Sequence, residues 1–565
     1  MSRQISRFLA VILSVLVLAG CQAVPRSSEV MVGLSNLEQA EKSLQFNPAS
    51  PLPDASPEEI ARGFLAAAAS AEDNFAVARE YLAPAYAAHW DPRATVLIDE
   101  TSRSYTELSS SAADAAAGGT MARGKITVVP TATVNEQGFL RLENPRNDPK
   151  ELLFEFVQVD DQWRISSAPS GIVLDRTTFT AIWEPHPLTF LTATGETVEE
   201  QRWFARDTTQ LSTAIKQLFG GPQQPYRESL HSAFNERTEL TSNVTVKGGE
   251  AIIEINDSAE PYSEGQLDLI RLQLAGTLSA FDAINTYKLV TPTGTLLTGG
   301  VSRPELASEH AAHFMLSGQE VLSYNNSGIK TVHPLSAQLV QLDPLEISIQ
   351  NSAAAAAVLN RDGVHLVNSG GTHLIDTRPQ LRPPTIDRWG FVWSATAADQ
   401  ALLQVSNASN KTFEFAMPSF APATVHGIRL SPDGSKLAVM LTTSVGTQVM
   451  VTEVRRDALG LPLGLGSSFQ LVAHSAGAPI DLAWLDSSRI AILSSSAGGS
   501  SKVTVGGVGL FGVDRGIVPG GTAISGTWRT NSLRVLGGDG KVYRPQGNSR
   551  WEQIFSDVNL LIKNN

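Results

Sequence analysis

A single cysteine, Cys21, stands in 565 residues. No disulfide can form within the chain, so whatever folds is held by buried apolar cores, which a chain of this length can build. The position of the cysteine narrows matters further. Arg3 and Arg7 open the chain, an apolar run follows from Phe8 to Leu18 with only Ser14 interrupting it, and Ala19 and Gly20 lead into Cys21. A charged head, an apolar segment of roughly 7–15 residues and a small-residue exit describe a secretory signal peptide. The run is too short to span a bilayer as a helix, which takes about 20 apolar residues.

The segment Leu18-Ala19-Gly20-Cys21 resembles the bacterial lipoprotein signal. That resemblance implies removal of residues 1–20, recognition of Leu18, Ala19 and Gly20 by the signal peptidase, and acylation of the Cys21 thiol. Two or more acyl chains, each buried methylene contributing about 0.8 kcal/mol, hold such a protein on a membrane. Everything after Cys21 is then extracytoplasmic, lipid-anchored at the cell membrane. Residues 21–54 are polar and end among Pro48, Pro51 and Pro53. They read as a tether reaching about 3 Å per extended residue.

Lys and Arg number 43 against 56 Asp and Glu, a net charge of −13. That balance argues against nucleic acid as a partner, since binding it takes a basic surface that displaces counterions. It also argues against a broad electrostatic grip on anionic lipid.

The first folded unit spans 55–184. Ser56 can cap a helix, Pro57 suits its first position, and Glu58 and Glu59 meet the positive end of its dipole. Ile60, Phe64, Leu65 and Ala68 then recur at helical spacing. A second helix is expected over Asn74 to Ala83. Alternating runs at Thr95–Ile98, Ser104–Thr106, Lys125–Val129, Glu151–Val157 and Gln162–Ile165 read as strands. Helices followed by strands make an α+β unit. Ala55-Ser56-Pro57-Glu58-Glu59-Ile60-Ala61-Arg62-Gly63-Phe64-Leu65, with Val77-Ala78-Arg79-Glu80-Tyr81-Leu82 running on to His89-Trp90-Asp91-Pro92, is similar to the N-terminal region of the actinobacterial LpqB lipoprotein family.

The second unit, 185–302, is again α+β. Its strands are expected at Pro187–Leu191, Arg202–Arg206, Asn243–Val246, Ala251–Ile255 and Lys288–Val290. Its helices are expected over Thr208–Phe219, stopped by Gly220-Gly221-Pro222, and over Glu264–Ala280. Leu218-Phe219-Gly220-Gly221-Pro222, Leu230-His231-Ser232-Ala233-Phe234 and Gln273-Leu274-Ala275-Gly276-Thr277-Leu278 resemble the GerMN module, which implies a binding or assembly role. Each unit has its own apolar pattern, so 56–301 is expected to fold without the remainder.

A linker is assigned to 303–336 and an all-β unit to 337–565. Related segments recur at 352–359, 386–393, 427–434, 481–485 and 524–528. Spacings of about 35–55 residues suit one four-stranded propeller blade per repeat, though spacing alone also permits a sandwich. Five repeats and a tail allow five to seven blades, with Leu339–Ile349 as a candidate closing strand. The family resemblance implies a propeller.

Chemistry-bearing motifs are sparse. There is no nucleophile elbow, Walker loop or dinucleotide fingerprint. Glu309-His310-Ala311-Ala312-His313 fails the zincin spacing and reads as a solvated linker helix. Asp433-Gly434 and Gly537-Gly538-Asp539-Gly540 lack the ligand series of a calcium loop and read as turns. His186, His231, His365, His373, His426 and His474 are too far apart in sequence to cluster. Trp389, Trp393, Trp484 and Trp528 are taken as equivalent blade positions that pack between blades. No catalytic, cofactor-binding or metal-ligating residue is assigned, and no cofactor. The family resemblance implies a non-enzymatic accessory lipoprotein. Its partner would be the extracytoplasmic part of the sensor kinase MtrB, whose regulator MtrA controls wall and division functions. The competing class is a carbohydrate-active or glycan-binding propeller acting on the wall. As a hydrolase it would need two carboxylates facing each other across the funnel.

Overall fold

The computed structural model describes residues 48–564, apart from 101, 109–120, 146–148, 257–260, 304–311, 326–327, 398–401, 410 and 421–422. In the first unit the helix Pro57–Ala67 starts where its cap dictates. The Ser56 N–H donates to Glu59 Oε2 at 2.8 Å and the Glu59 N–H to Ser56 Oγ at 3.3 Å, a reciprocal capping box. Ile60, Ala61, Phe64 and Leu65 form its buried face. Phe64 meets Trp90 edge-on at 5.1 Å and Phe154 at 6.4 Å. The helix packs with two four-stranded sheets. One runs 140–142, 130–135, 95–99, 172–175; the other runs 104–108, 121–128, 150–159, 162–167.

The second helix is shorter than the sequence suggests, Ala76–Glu80. Asp73, Asn74 and Phe75 have φ of +48°, +59° and +62°, which breaks the helix on its N-terminal side. Asp and Asn tolerate that region, whereas Phe75 is held there by packing, 3 % exposed and 6.0 Å from Trp90.

In the second unit, strands Trp183–Thr192 and Thr197–Ala205 form a long antiparallel pair. A second sheet runs 245–247, 250–254, 286–291, 294–300, and its two central strands are parallel. Parallel neighbours need a crossover, which the helix Glu264–Leu278 supplies. That helix is pinned to Thr189 by two polar contacts. Gln273 Nε2 donates to the Thr189 carbonyl at 2.9 Å, and the Thr189 N–H donates to Thr277 Oγ1 at 3.0 Å. Gly276 permits the approach, because a Cβ there would lie 2.4 Å from Thr189 Oγ1.

Among the described residues the all-β part is a ring of six blades, five of them four-stranded and the one that starts at 424–430 five-stranded. Their first strands are 560–564, 346–349, 385–386, 424–430, 479–484 and 521–525, each touching the next around the ring. Several expectations change here. Within the segment assigned as a linker, His313–Ser317, Glu320–Asn325 and Gly328–Val332 are the outer strands of blade one. The closing strand is Leu560–Asn564. It pairs antiparallel with 314–316 and parallel with 348–349. Of Leu339–Ile349, the candidate closing strand, Glu346–Ile349 is instead the first strand of blade two, and the repeat at 352–359 supplies its second strand. The tryptophans are not equivalent either. Trp393 lies on a second strand, Trp389 in the hairpin before it, Trp484 at the end of a first strand and Trp528 in the loop after one.

The three modules share cores. Phe139 of the first unit belongs to the apolar cluster of the second, while Trp203 of the second belongs to the cluster of the first. Phe511, on the outermost strand of blade five, packs 5.6 Å from Trp203 and 6.0 Å from Phe179. The cluster of the second unit continues into blades four and five through Met440, Val451, Ile492 and Val508. The apolar pattern that promised a free-standing 56–301 is therefore completed by propeller side chains.

Candidate functional sites

Leu18, Ala19, Gly20 and Cys21 lie outside the described residues. Of the Glu309–His313 motif only Ala312 and His313 are described, and His313 opens a strand rather than a helix. Burial, aided by the charge of Arg534, lowers its pKa to about 3. His186 stacks on Phe281 at 4.5 Å and pairs with Glu184 at 3.0 Å. The His365 ring lies 3.1 Å from Asn360 Oδ1, and His426 Nε2 lies 2.9 Å from the Ile480 carbonyl. Among the described residues no group of three or more His, Cys, Asp or Glu is placed to hold a metal ion. Asp433-Gly434 is a turn: Gly434 has φ +71° and Asp433 Oδ1 accepts the Ser435 N–H at 2.7 Å. Gly540 at φ +77°, donating to the Gly537 carbonyl at 3.0 Å, makes the other.

The first strands of the propeller carry a buried charge cluster. Lys563 Nζ donates to Asp481 Oδ2 and to the Ile524 carbonyl. The Ile524 N–H also donates to Asp481 Oδ2, at 2.7 Å, and the Leu482 N–H to Oδ1 at 2.9 Å. Arg429 stands 3.8 Å from Asp481 and donates to the Ile428 carbonyl at 2.8 Å. Burial raises the pKa of Glu346, on the first strand of blade two; Lys563 opposes the rise, Asp481 adds to it and Arg429 opposes it. The cluster thus draws on four blades through side chains and a fifth through the Ile524 backbone. Sequence reading passed over it, but the signal is there. Ile428-Arg429-Leu430, Ile480-Asp481-Leu482 and Ile562-Lys563 each set a charge beside aliphatics in a buried strand, and such a charge must find a partner. Asp481 and Glu346 bring two carboxyl groups to this cluster, and both oxygens of Asp481 accept hydrogen bonds.

Two of the open cavities among the described residues bear on function. One, of about 950 Å³, separates the first unit from blades four and five. Glu100, Asp175 and Arg176 line one wall and His474, Lys502 and Asp514 the other. At its seam the Arg176 guanidinium lies 4.5 Å over the Phe511 ring and donates to the Gly512 carbonyl at 3.0 Å. Burial lowers the pKa of both Arg176 and His474, so the histidine is neutral at physiological pH. Deeper in the seam, Trp203 Nε1 donates to the Gly509 carbonyl at 2.8 Å. Tyr226 donates to Gln470 Oε1 at 3.0 Å, and Gln470 Nε2 donates to the Leu140 carbonyl at 3.2 Å, one relay through all three modules. Glu453 accepts the N–H groups of Glu228 and Ser229 at 3.0 and 2.9 Å. The other cavity, about 800 Å³, lies in the second unit against the helix Gln210–Phe219.

Residues 50–180 match the family described as "Lipoprotein LpqB, N-terminal domain" and 319–559 match "Lipoprotein LpqB beta-propeller domain". Residues 187–291 match "Sporulation and spore germination". Relatives named Lipoprotein LpqB include one from Cutibacterium acnes, 24 % identical with 96 % of both chains covered. Another, from Mycobacterium paratuberculosis, is 24 % identical over 86 % of this chain and 87 % of the relative. Among solved structures, the first GerMN domain of the sporulation protein GerM from Bacillus subtilis is 20 % identical. It covers 22 % of this chain and 93 % of its own, with a TM-score of 0.18. No helix among the described residues is long and apolar enough to cross a membrane.

Proposed function

Because this chain belongs to the LpqB lipoprotein family, we propose that it is an acylated extracytoplasmic accessory protein that binds the sensor kinase MtrB and biases it between signalling states. A binding protein shifts such an equilibrium only as far as its affinities for the two states differ. What carries the reading is the sharing of cores by three modules, with the cleft of about 950 Å³ at their seam as the partner-facing surface. A fixed concave body can distinguish two partner conformations, where beads on a string would follow either. The role we propose is non-enzymatic, a reading supported by the Lys502–Asp514 pair at 2.9 Å in the cleft and by the hydrogen bonds that both oxygens of Asp481 accept in the propeller.

The test is calorimetric titration of the purified protein with the extracytoplasmic domain of the kinase, alongside kinase output in reconstituted membranes. Output should track occupancy, with a coupling of about 5- to 150-fold. Absence of heat and of co-elution at high micromolar concentration, together with turnover of a wall-glycan fragment, would replace this reading with the enzymatic one.

A further inference from the structure

The cavity in the second unit has a composition unlike the rest of the surface. Its walls come from one face of the helix Gln210–Phe219 and from the segment 236–243, with Arg93 of the first unit at the rim. Thr209, Thr213, Thr241, Ser242 and Asn243 contribute hydroxyl and amide groups. Phe219 and Leu240 are its apolar side chains. Among the described residues the ammonium group of Lys216, exposed at the rim, has no hydrogen-bond or ion-pair partner. Arg93 is held only loosely, 3.8 Å from Asp207.

The Gly220-Gly221 pair that ends the helix adds a second observation. Gly221 has φ +79°, a conformation that favours glycine, so its identity follows from the turn. Gly220 has φ −65° and ψ −11°, which any residue adopts. A Cβ on Gly220 would meet only the carbonyls of Gln217 and Lys216, at 3.5 and 3.7 Å, ordinary contact distances. Neither backbone conformation nor close packing requires a glycine there. Gly220 lines the cavity, and its missing side chain leaves that wall open.

We propose that this cavity is a saccharide-binding site, taking a short polyhydroxylated chain that carries one carboxylate. The hydroxyls of Thr209, Thr213 and Ser242 donate within the protein, to Asp207 Oδ1, the Thr209 carbonyl and Glu254 Oε2, and keep lone pairs that accept from a ligand offering many hydroxyls, while Phe219 and Leu240 give a small apolar floor for a sugar ring. Lys216 supplies the charge-assisted donor for the carboxylate. Glu236 and Glu239 also stand on the lining, so a polyanion is repelled where a single carboxylate is accepted. The site is independent of the kinase reading and stands or falls without it.

The test is calorimetric titration of the full chain in detergent micelles with two matched probes. One is the disaccharide of N-acetylglucosamine and N-acetylmuramic acid, which bears a lactyl carboxylate; the other is chitobiose, which lacks it. The acidic disaccharide should bind about tenfold more tightly than chitobiose, the contribution of one charge-assisted hydrogen bond. Lys216→Gln should erase that difference while leaving chitobiose unchanged. Gly220→Phe adds a bulky ring to that wall at a backbone conformation any residue adopts, and should weaken both probes by more than about tenfold, with thermal melting unaltered. Equal affinity of the two probes for the wild type, no binding of either at millimolar concentration, or Lys216→Gln without effect would overturn the proposal.

Discussion

Removing the ammonium group of Lys563 tests whether the propeller ring is latched by charge as well as by strand pairing. Lys563 lies on the closing strand, opposite Ser348 of blade two, and its side chain is 3 % exposed. It bonds Asp481 of blade five and the Ile524 carbonyl of blade six. Lys563→Met keeps the aliphatic stem and deletes the charge. Asp481 would then retain the N–H groups of Ile524 and Leu482 and an Arg429 guanidinium 3.8 Å away. Breaking a buried pair by removing one partner costs about 3–5 kcal/mol, because the other charge is left without compensation. Arg429 compensates in part, which places the expected loss near the lower end, about 3 kcal/mol. For a ring of this size each kcal/mol lowers Tm by about 2–4 °C, so the midpoint should fall by about 6–12 °C.

Thermal and guanidinium unfolding of the full chain, followed by tryptophan fluorescence, measures that loss. Trp393 and Trp484 are buried in blades three and five and report on the ring itself. The double variant Lys563→Met with Asp481→Leu removes the orphaned carboxylate and should recover about 2 kcal/mol of the loss, the interaction term of the cycle. A single variant within about 0.5 kcal/mol of wild type, or a double variant no better than the single, would refute the latch and leave strand pairing as the whole closure.

Four further outcomes are expected. Because burial raises the pKa of Glu346, its stabilising share is present below the unfolded value of 4.5 and is lost as pH rises through the folded value; Glu346→Gln should remove that slope from a stability-against-pH profile. His313 has the opposite sign: its pKa is lowered to about 3, so its share is present above 6.5 and lost as pH falls toward 3, and His313→Gln should flatten the acid limb of the same profile. The fragment 56–301 should bind a hydrophobic dye and melt well below the full chain, since Tyr226 and Trp203 lose their propeller contacts; a sharp melt matching the full chain would contradict the shared core. Cys21→Ala should abolish incorporation of labelled palmitate and release the protein from membranes, and label retained on the variant would refute the anchor.

Local chemistry made the element starts legible. Ser56 through Glu59 marked the first helix to the residue, and Ser263 with Gln266 forms the same capping box at the head of Glu264–Leu278. Ser431-Pro432-Asp433-Gly434 declared its turn because an aspartate and a glycine at φ +71° suffice to make it. What escaped was decided at long range. His313-Phe314-Met315-Leu316-Ser317 pairs locally with Glu320–Tyr324 as a hairpin, but its place in the ring is set by 560–562 near the other end of the sequence, and that pairing no local pattern announces. Phe75 carries a helical periodicity but is drawn out of the helix by Trp90. Two assemblies of residues were missed for the same reason. The charge cluster and the cleft each assemble from segments that sequence distance hides, although Arg429, Asp481 and Lys563 announce themselves singly as charges inside apolar strands.

The exchange of Phe139 and Trp203 between the first two cores changes what a module boundary means in this protein. The boundary expected at residue 184 falls inside the continuous strand Trp183–Thr192, and the pairing 197–205 with 183–192 places Trp203 beside Pro185. Trp203 then serves two masters: its ring packs with Phe179 at 4.8 Å in the first unit, and its Nε1–H donates to Gly509 of blade five. Displacing the first unit would uncover that ring, and displacing the propeller would leave its donor without a partner, each loss worth about 1–3 kcal/mol. Hinge motion at this seam is therefore costly, and a partner that contacts one module meets the other two in fixed register. Such stiffness suits a protein whose proposed work is to favour one state of a kinase, because the differential affinity that shifts the equilibrium is not dissipated in rearranging the binder.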